Sequence, residues 1–91
     1  GVFMHWDAKT QDKLRLLIAK IPVFHRHITE VAVTKKAEEL AKTRSAGVVE
    51  EIDVVGAFFF FFFTPFYSMM ICLLVQSEFD YKKYGFPKRQ L

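Results

Sequence analysis

Leu14, Leu17, Ile18 and Ile21 recur at i, i+3, i+4 and i+7, the spacing that gathers side chains onto one face of a helix. Lys9, Asp12, Lys13 and Arg15 fill much of the remainder, and Asp7, directly after Trp6, is a suitable N-cap. The pattern predicts a helix over 8–20. Pro22 stops it, because proline lacks the N–H and holds the preceding residue extended. The same proline suits the start of a second helix over 23–44, about 33 Å long at 1.5 Å per residue. Phe24, Ile28 and Val31 form its early apolar stripe, continued by Ala37, Leu40 and Ala41. Trp6, Leu14, Leu17, Ile21, Phe24, Ile28 and Val31 are therefore expected to pack together where the two helices meet. Gly47 is the expected left-handed residue closing the second helix.

A third helix is predicted over 50–63, with Glu50, Glu51 and Asp53 where the dipole favours negative charge. Thr64-Pro65 then reads as a cap and first-turn proline opening a fourth helix over 65–78. In it Phe66, Met70 and Leu73 share a face, with Met69 and Leu74 beside them. Gly85 and Pro87 keep the aromatic segment from Phe79 onward out of a helix. The expected fold is all-α: a small bundle of three to four helices with an irregular aromatic C-terminal tail and no sheet.

The charges change this picture. Residues 1–53 hold nine Lys/Arg and eight Asp/Glu, residues 54–77 hold none, and residues 78–91 hold four basic and two acidic side chains. The uncharged stretch is long enough to cross a bilayer, which takes about 20 apolar residues. The six phenylalanines at 58–63 cover every side of a helix, so they form no amphipathic pattern. Left in water they would make a large apolar patch. Lipid or a protein interface would cover them.

Candidate chemistry is sparse. Ninety-one residues with 52% apolar composition suit one compact domain, and a net charge of +3 is too mild for a dedicated nucleic-acid binder. The single cysteine, Cys72, leaves no disulfide framework and no thiolate cage for zinc. His25 and His27, two apart, point about 200° from one another on a helix and cannot ligate one ion. Ser45, Ser68 and Ser77 lack the glycines of a nucleophile elbow, and no glycine cluster is present to cradle phosphate. No catalytic residue, metal ligand or cofactor is assigned from the sequence.

Met4-His5-Trp6-Asp7-Ala8, the junction Ile21-Pro22-Val23-Phe24-His25-Arg26, Glu38-Glu39-Leu40-Ala41 and Val49-Glu50-Glu51 together resemble the PCP-reductase domain family. This is the small domain at the C-terminus of the B subunit of light-independent protochlorophyllide reductase. The likeness covers residues 4–57, and its most specific elements are Trp6, Ile21, Pro22, Phe24 and Arg26. The resemblance implies a helical appendage of a larger redox complex that helps enclose a tetrapyrrole while iron–sulfur chemistry is supplied elsewhere. It also implies a cytoplasmic or other intracellular, complex-associated location.

These readings lead to a PCP-reductase-like domain over 4–57 followed by a docking extension over 58–91. The expected role is a non-catalytic accessory or assembly subunit of a multi-subunit, redox complex. Phe66, Met69, Met70, Leu74, Phe79, Tyr81, Tyr84 and Phe86 are its expected partner-binding residues, meeting larger protein subunits rather than nucleic acid. The alternative is a single-span membrane subunit with residues 54–75 in lipid. A tetrapyrrole-binding module and a helical DNA-binding module are lesser alternatives.

Overall fold

The computed structural model describes residues 4–61 and 67–86, the side chains of Tyr67 and Ser68 excepted. Among them are four α-helices: α1 (Ala8–Ala19), α2 (Val23–Thr43), α3 (Glu51–Phe61) and α4 (Tyr67–Gln76). A 3₁₀ turn follows at Tyr81–Tyr84. The fold is the expected small all-α bundle, with one addition. Two short strands, β1 (His5–Trp6) and β2 (Val48–Val49), pair in parallel with His5 opposite Val48 and Trp6 opposite Val49. The expectation of no sheet is thus corrected. β-branched Val48 and Val49 leave the helical path, and Asp7 donates its N–H to the Val49 carbonyl at 3.0 Å, which anchors the N-terminal end on the α2–α3 connection.

Asp7 caps α1, its carboxylate accepting from the Thr10 N–H at 3.0 Å and the Thr10 hydroxyl at 2.8 Å. Those hydrogen bonds hold the Asp7 carboxyl below its ordinary pKa. Helix α2 ends in a Schellman turn: the Ala46 N–H reaches the Ala41 carbonyl and the Ser45 N–H that of Lys42. The left-handed residue is Ser45, at φ 60°, rather than the expected Gly47. Helix α4 closes the same way, with Phe79 donating to Leu74, Glu78 donating to Val75, and Glu78 left-handed at φ 64°. That turn sends Phe79 back into the core, where it is buried.

One buried cluster joins all four helices and the tail: Leu14, Leu17, Ile18 and Ile21 of α1 and its end, Val33, Ala37 and Ala41 of α2, Val54, Val55 and residues 57–59 of α3, Met70 and Leu74 of α4, and Phe79. The boundary expected at residue 57 falls inside this cluster, so the described part of 58–91 is packed into the same core rather than held out as an extension.

The face of α2 that enters the core also differs from expectation. Leu14, Leu17 and Ile21 are buried and Trp6 packs against them half-buried, but Phe24 is 94% exposed, and Ile28 and Val31 also face water. Thr29, Val33, Ala37 and Ala41, spaced by four, form the buried stripe. The physical reason is volume. Helices α2 and α3 approach closely where Leu40 meets Gly56, at which an added Cβ would lie 3.0 Å from the Leu40 side chain, and small side chains on the inner face of α2 permit that approach.

Of the described residues in the uncharged stretch, Val54, Val55 and Phe58 lie inside the protein. Among the described residues, no helix is long and apolar enough to cross a membrane. Of the span expected over 54–75, residues 54–61 belong to α3 and 67–75 to α4, and residues 62–66 lie outside the described residues.

Candidate docking groove

The corner between α1 and α2 is held by three side chains. Ile21 is buried, and Pro22 occupies the N-cap position of α2 at φ −53° and ψ 140°. Arg26 turns back and donates through Nε to the Ile21 carbonyl at 2.7 Å and through Nη2 to the Ala19 carbonyl at 2.9 Å. The Ala19 carbonyl is one that a helix leaves without an internal partner at its C-terminus, and the Ile21 carbonyl lies just beyond it. Lys20 ties the corner to the end of α4, its ammonium donating to the Gln76 carbonyl at 2.9 Å and reaching the Ser77 hydroxyl at 3.4 Å. The Ile21-Pro22-x-Phe24-x-Arg26 pattern therefore specifies a corner: buried anchor, helix start, and guanidinium cap. Phe24 does none of this structural work and points into solvent.

Beside the corner lies an open trough of about 620 Å³ between α2, the end of α3 and the start of α4. Val33, Phe58 and Met70 form its floor; Ile28, Phe61 and Met69 stand at its sides. Its ionisable lining is basic, Lys20 and His25, and Thr29 adds one hydroxyl. Ile28 is shared with the exposed stripe Phe24–Ile28–Val31, so trough and stripe form one continuous apolar surface. Lys36 bounds it further along α2, its ammonium 4.0 Å from the centroid of the exposed Phe60 ring.

Most of the residues expected to bind a partner are used internally. Leu74 and Phe79 are core residues, a correction to their assignment as docking surface, and Met70 is buried at the floor of the trough. Tyr81, Tyr84 and Phe86 are half-buried against the core, and Phe86 stacks on Phe59 with centroids 4.9 Å apart. The tail thus covers Phe59, part of the phenylalanine run expected to await a partner, while Phe60 and Phe61 stay exposed. Met69 alone of the eight is exposed among the described residues, and Phe66 lies outside them. Phe61 belongs to the run expected to need a cover, whereas Phe24, Ile28 and Val31 had been expected in the core. The available signal was that α2 carries two stripes on opposite sides, one bulky and one small, and only one can meet a helix rich in phenylalanine.

Glu51 fastens the tail. Its carboxylate accepts from the Lys13 ammonium at 2.6 Å, the Asp80 N–H at 3.2 Å and the Tyr84 hydroxyl at 3.4 Å. Burial, followed by the nearby Glu51 charge, raises the Tyr84 pKa. Among the described residues, no group of three or more His, Cys, Asp and Glu side chains is placed to hold a metal ion.

Comparison with models of known protein families, with curated proteins and with solved structures yields no significant match to this chain.

Proposed function

We propose that this protein acts by binding rather than by chemistry, as an accessory subunit that docks onto a larger protein through the trough and the adjoining face of α2. The observation that carries this reading is Phe24, a large aromatic side chain left 94% exposed on a well-fixed helix and continuous with an apolar trough. Exposed, contiguous apolar surface of this kind marks interaction sites. Burying a side chain such as Phe24 or Ile28 is favourable by about 1.5–3 kcal/mol. Aromatic anchors of this type dominate many interfaces.

That the partner is an oxidoreductase, and that the complex is intracellular, is supported only by the resemblance carried by Trp6 and the Ile21–Arg26 junction. Ile21, Pro22 and Arg26 have structural duties at the corner and Trp6 pairs with β2, and a docking role accounts for Phe24.

The test is recovery of the full chain from its native host with Phe24→Glu and Ile28→Glu as comparisons. The wild type is expected to travel with a larger protein, and each variant to lose it with an unchanged melting temperature. A wild-type chain that runs alone, or variants that keep the partner, would overturn the reading. Deleting residues 64–91 would not serve, because it removes Met70, Leu74 and Phe79 from the core.

A further inference from the structure

We infer that the occupant of the trough is an amphipathic helix of another protein, its apolar face flanked by carboxylates. This rests on the docking reading above and adds the partner's shape and charge. Phe24, Ile28 and Val31 follow one another at four and three residues, the spacing of a helix–helix seam, and the trough alongside gives an incoming row of side chains a recess.

The charge argument comes from how the cations of this chain are partnered. Among the described residues Lys13, Arg15, Lys36 and Arg44 each pair with a carboxylate, and the other lysines and Arg26 do not. The position of Lys20 and Arg26 beside the trough is what sets them apart. Lys20 and Arg26, at the corner that closes the trough, give their hydrogen bonds to carbonyl and hydroxyl oxygens, and among the described residues neither is ion-paired. The trough lining holds Lys20 and His25 and no carboxylate. Lys20 and Arg26 therefore stand beside an apolar recess without a counter-charge among the described residues. Carboxylates flanking a docked helix would supply it, steering the encounter and fixing its register.

A second copy of the chain fits less well. A two-fold interface sets the same patch against itself, which brings Lys20 and Arg26 of both copies together with Glu30 as the one carboxylate between residues 22 and 37.

The experiment titrates the isotopically labelled full chain with two synthetic helical peptides of about 18 residues, roughly five turns. They share a leucine face and differ in flanking Glu or Lys. The Glu peptide is expected to shift the amide resonances of Ile28, Met69 and Met70 and to bind at least about tenfold tighter than the Lys peptide. Added salt should weaken it. Ile28→Glu and Phe24→Glu, both at exposed positions, should abolish the shifts with helix content unchanged. Equal binding of the two peptides, or preference for Lys, overturns the inference. So does failure of both peptides while palmitate, or vesicles of phosphatidylcholine and phosphatidylglycerol, shifts the same amides. Concentration-dependent shifts of those amides without peptide would assign the surface to self-association and also overturn it. If the chain still co-purifies with a larger protein through Phe24, only the inferred chemistry fails; if it does not, the docking reading fails with it.

Discussion

Arg44, at the end of α2, grips Asp53, in the first turn of α3, at two points: Nε to Oδ1 at 2.8 Å and Nη2 to Oδ2 at 2.6 Å. Asp53 is 2% exposed and also accepts the Glu50 N–H at 2.9 Å, so it caps its own helix while anchoring the neighbouring one. This pairing raises the Arg44 pKa. It fixes the α2–α3 turn, and with it the angle at which the two longest-packed helices meet.

The pair should respond asymmetrically to mutation. Arg44→Ala leaves a buried carboxylate without its counter-charge and is expected to cost about 3 kcal/mol. Asp53→Ala leaves an arginine whose side chain is 35% exposed and can hydrate, so a smaller loss of about 2 kcal/mol is expected after allowance for screening. Chemical denaturation of both variants checks this; a larger loss for Asp53→Ala would refute the asymmetry.

Phe24→Ala should change stability by no more than about 0.5 kcal/mol, because the ring is in water. Leu17→Ala, at a fully buried position, should cost about 2–5 kcal/mol. Thermal melts of the two variants separate the observed core from one built on Phe24–Ile28–Val31.

Glu51→Ala should loosen the tail without unfolding the bundle. It removes the acceptor for Lys13, Asp80 and Tyr84 together, and amide exchange from Phe79 to Phe86 should accelerate while that of α2 stays slow. The raised Tyr84 pKa adds an alkaline counterpart. The folded state holds the phenol proton more tightly, so this contribution is complete below the ordinary tyrosine value of about 10 and declines as pH rises above it. A wild-type tail whose exchange is unaffected above that pH would contradict the assignment.

Ser45→Gly and Glu78→Gly should each stabilise the protein. Both residues sit left-handed, a conformation costing non-glycine residues about 1–2 kcal/mol, partly offset by the greater chain entropy glycine brings to the unfolded state. A net gain of about 0.5–1 kcal/mol is expected, read from denaturation midpoints. A loss at either position would show that its side chain contributes more than its backbone conformation costs.

Acid should weaken the start of α1. The Asp7 carboxyl titrates below its ordinary value, so its contribution is complete above about pH 4 and fades as pH falls through the lowered folded-state value. Asp7→Ala should melt lower than wild type at neutral pH, and the difference should shrink towards pH 2. A constant difference across that range would exclude the carboxylate as its source.

Local chemistry made the helices legible. Asp7, Pro22 and the apolar spacing of Leu14, Leu17 and Ile21 define α1 and its end because capping, the missing proline N–H and side-chain periodicity act within a few residues. The same local reasoning placed α2, α3 and α4 to within a few residues over the described chain. Which side of α2 turns inward was not local. Its bulky Phe24–Ile28–Val31 stripe is the more hydrophobic, yet the small Thr29–Val33–Ala37–Ala41 stripe is buried, because the close approach of α2 and α3 seen at Leu40 and Gly56 selects volume over hydrophobicity. The pairing of Trp6 with Val49 and the return of Phe79 and Phe86 onto α3 join residues far apart in the chain. Their partners exist only once the helices have assembled. By filling the inner surface with small and tail residues, that assembly leaves Phe24, Ile28 and Met69 outside, so the candidate docking surface is a product of the tertiary structure.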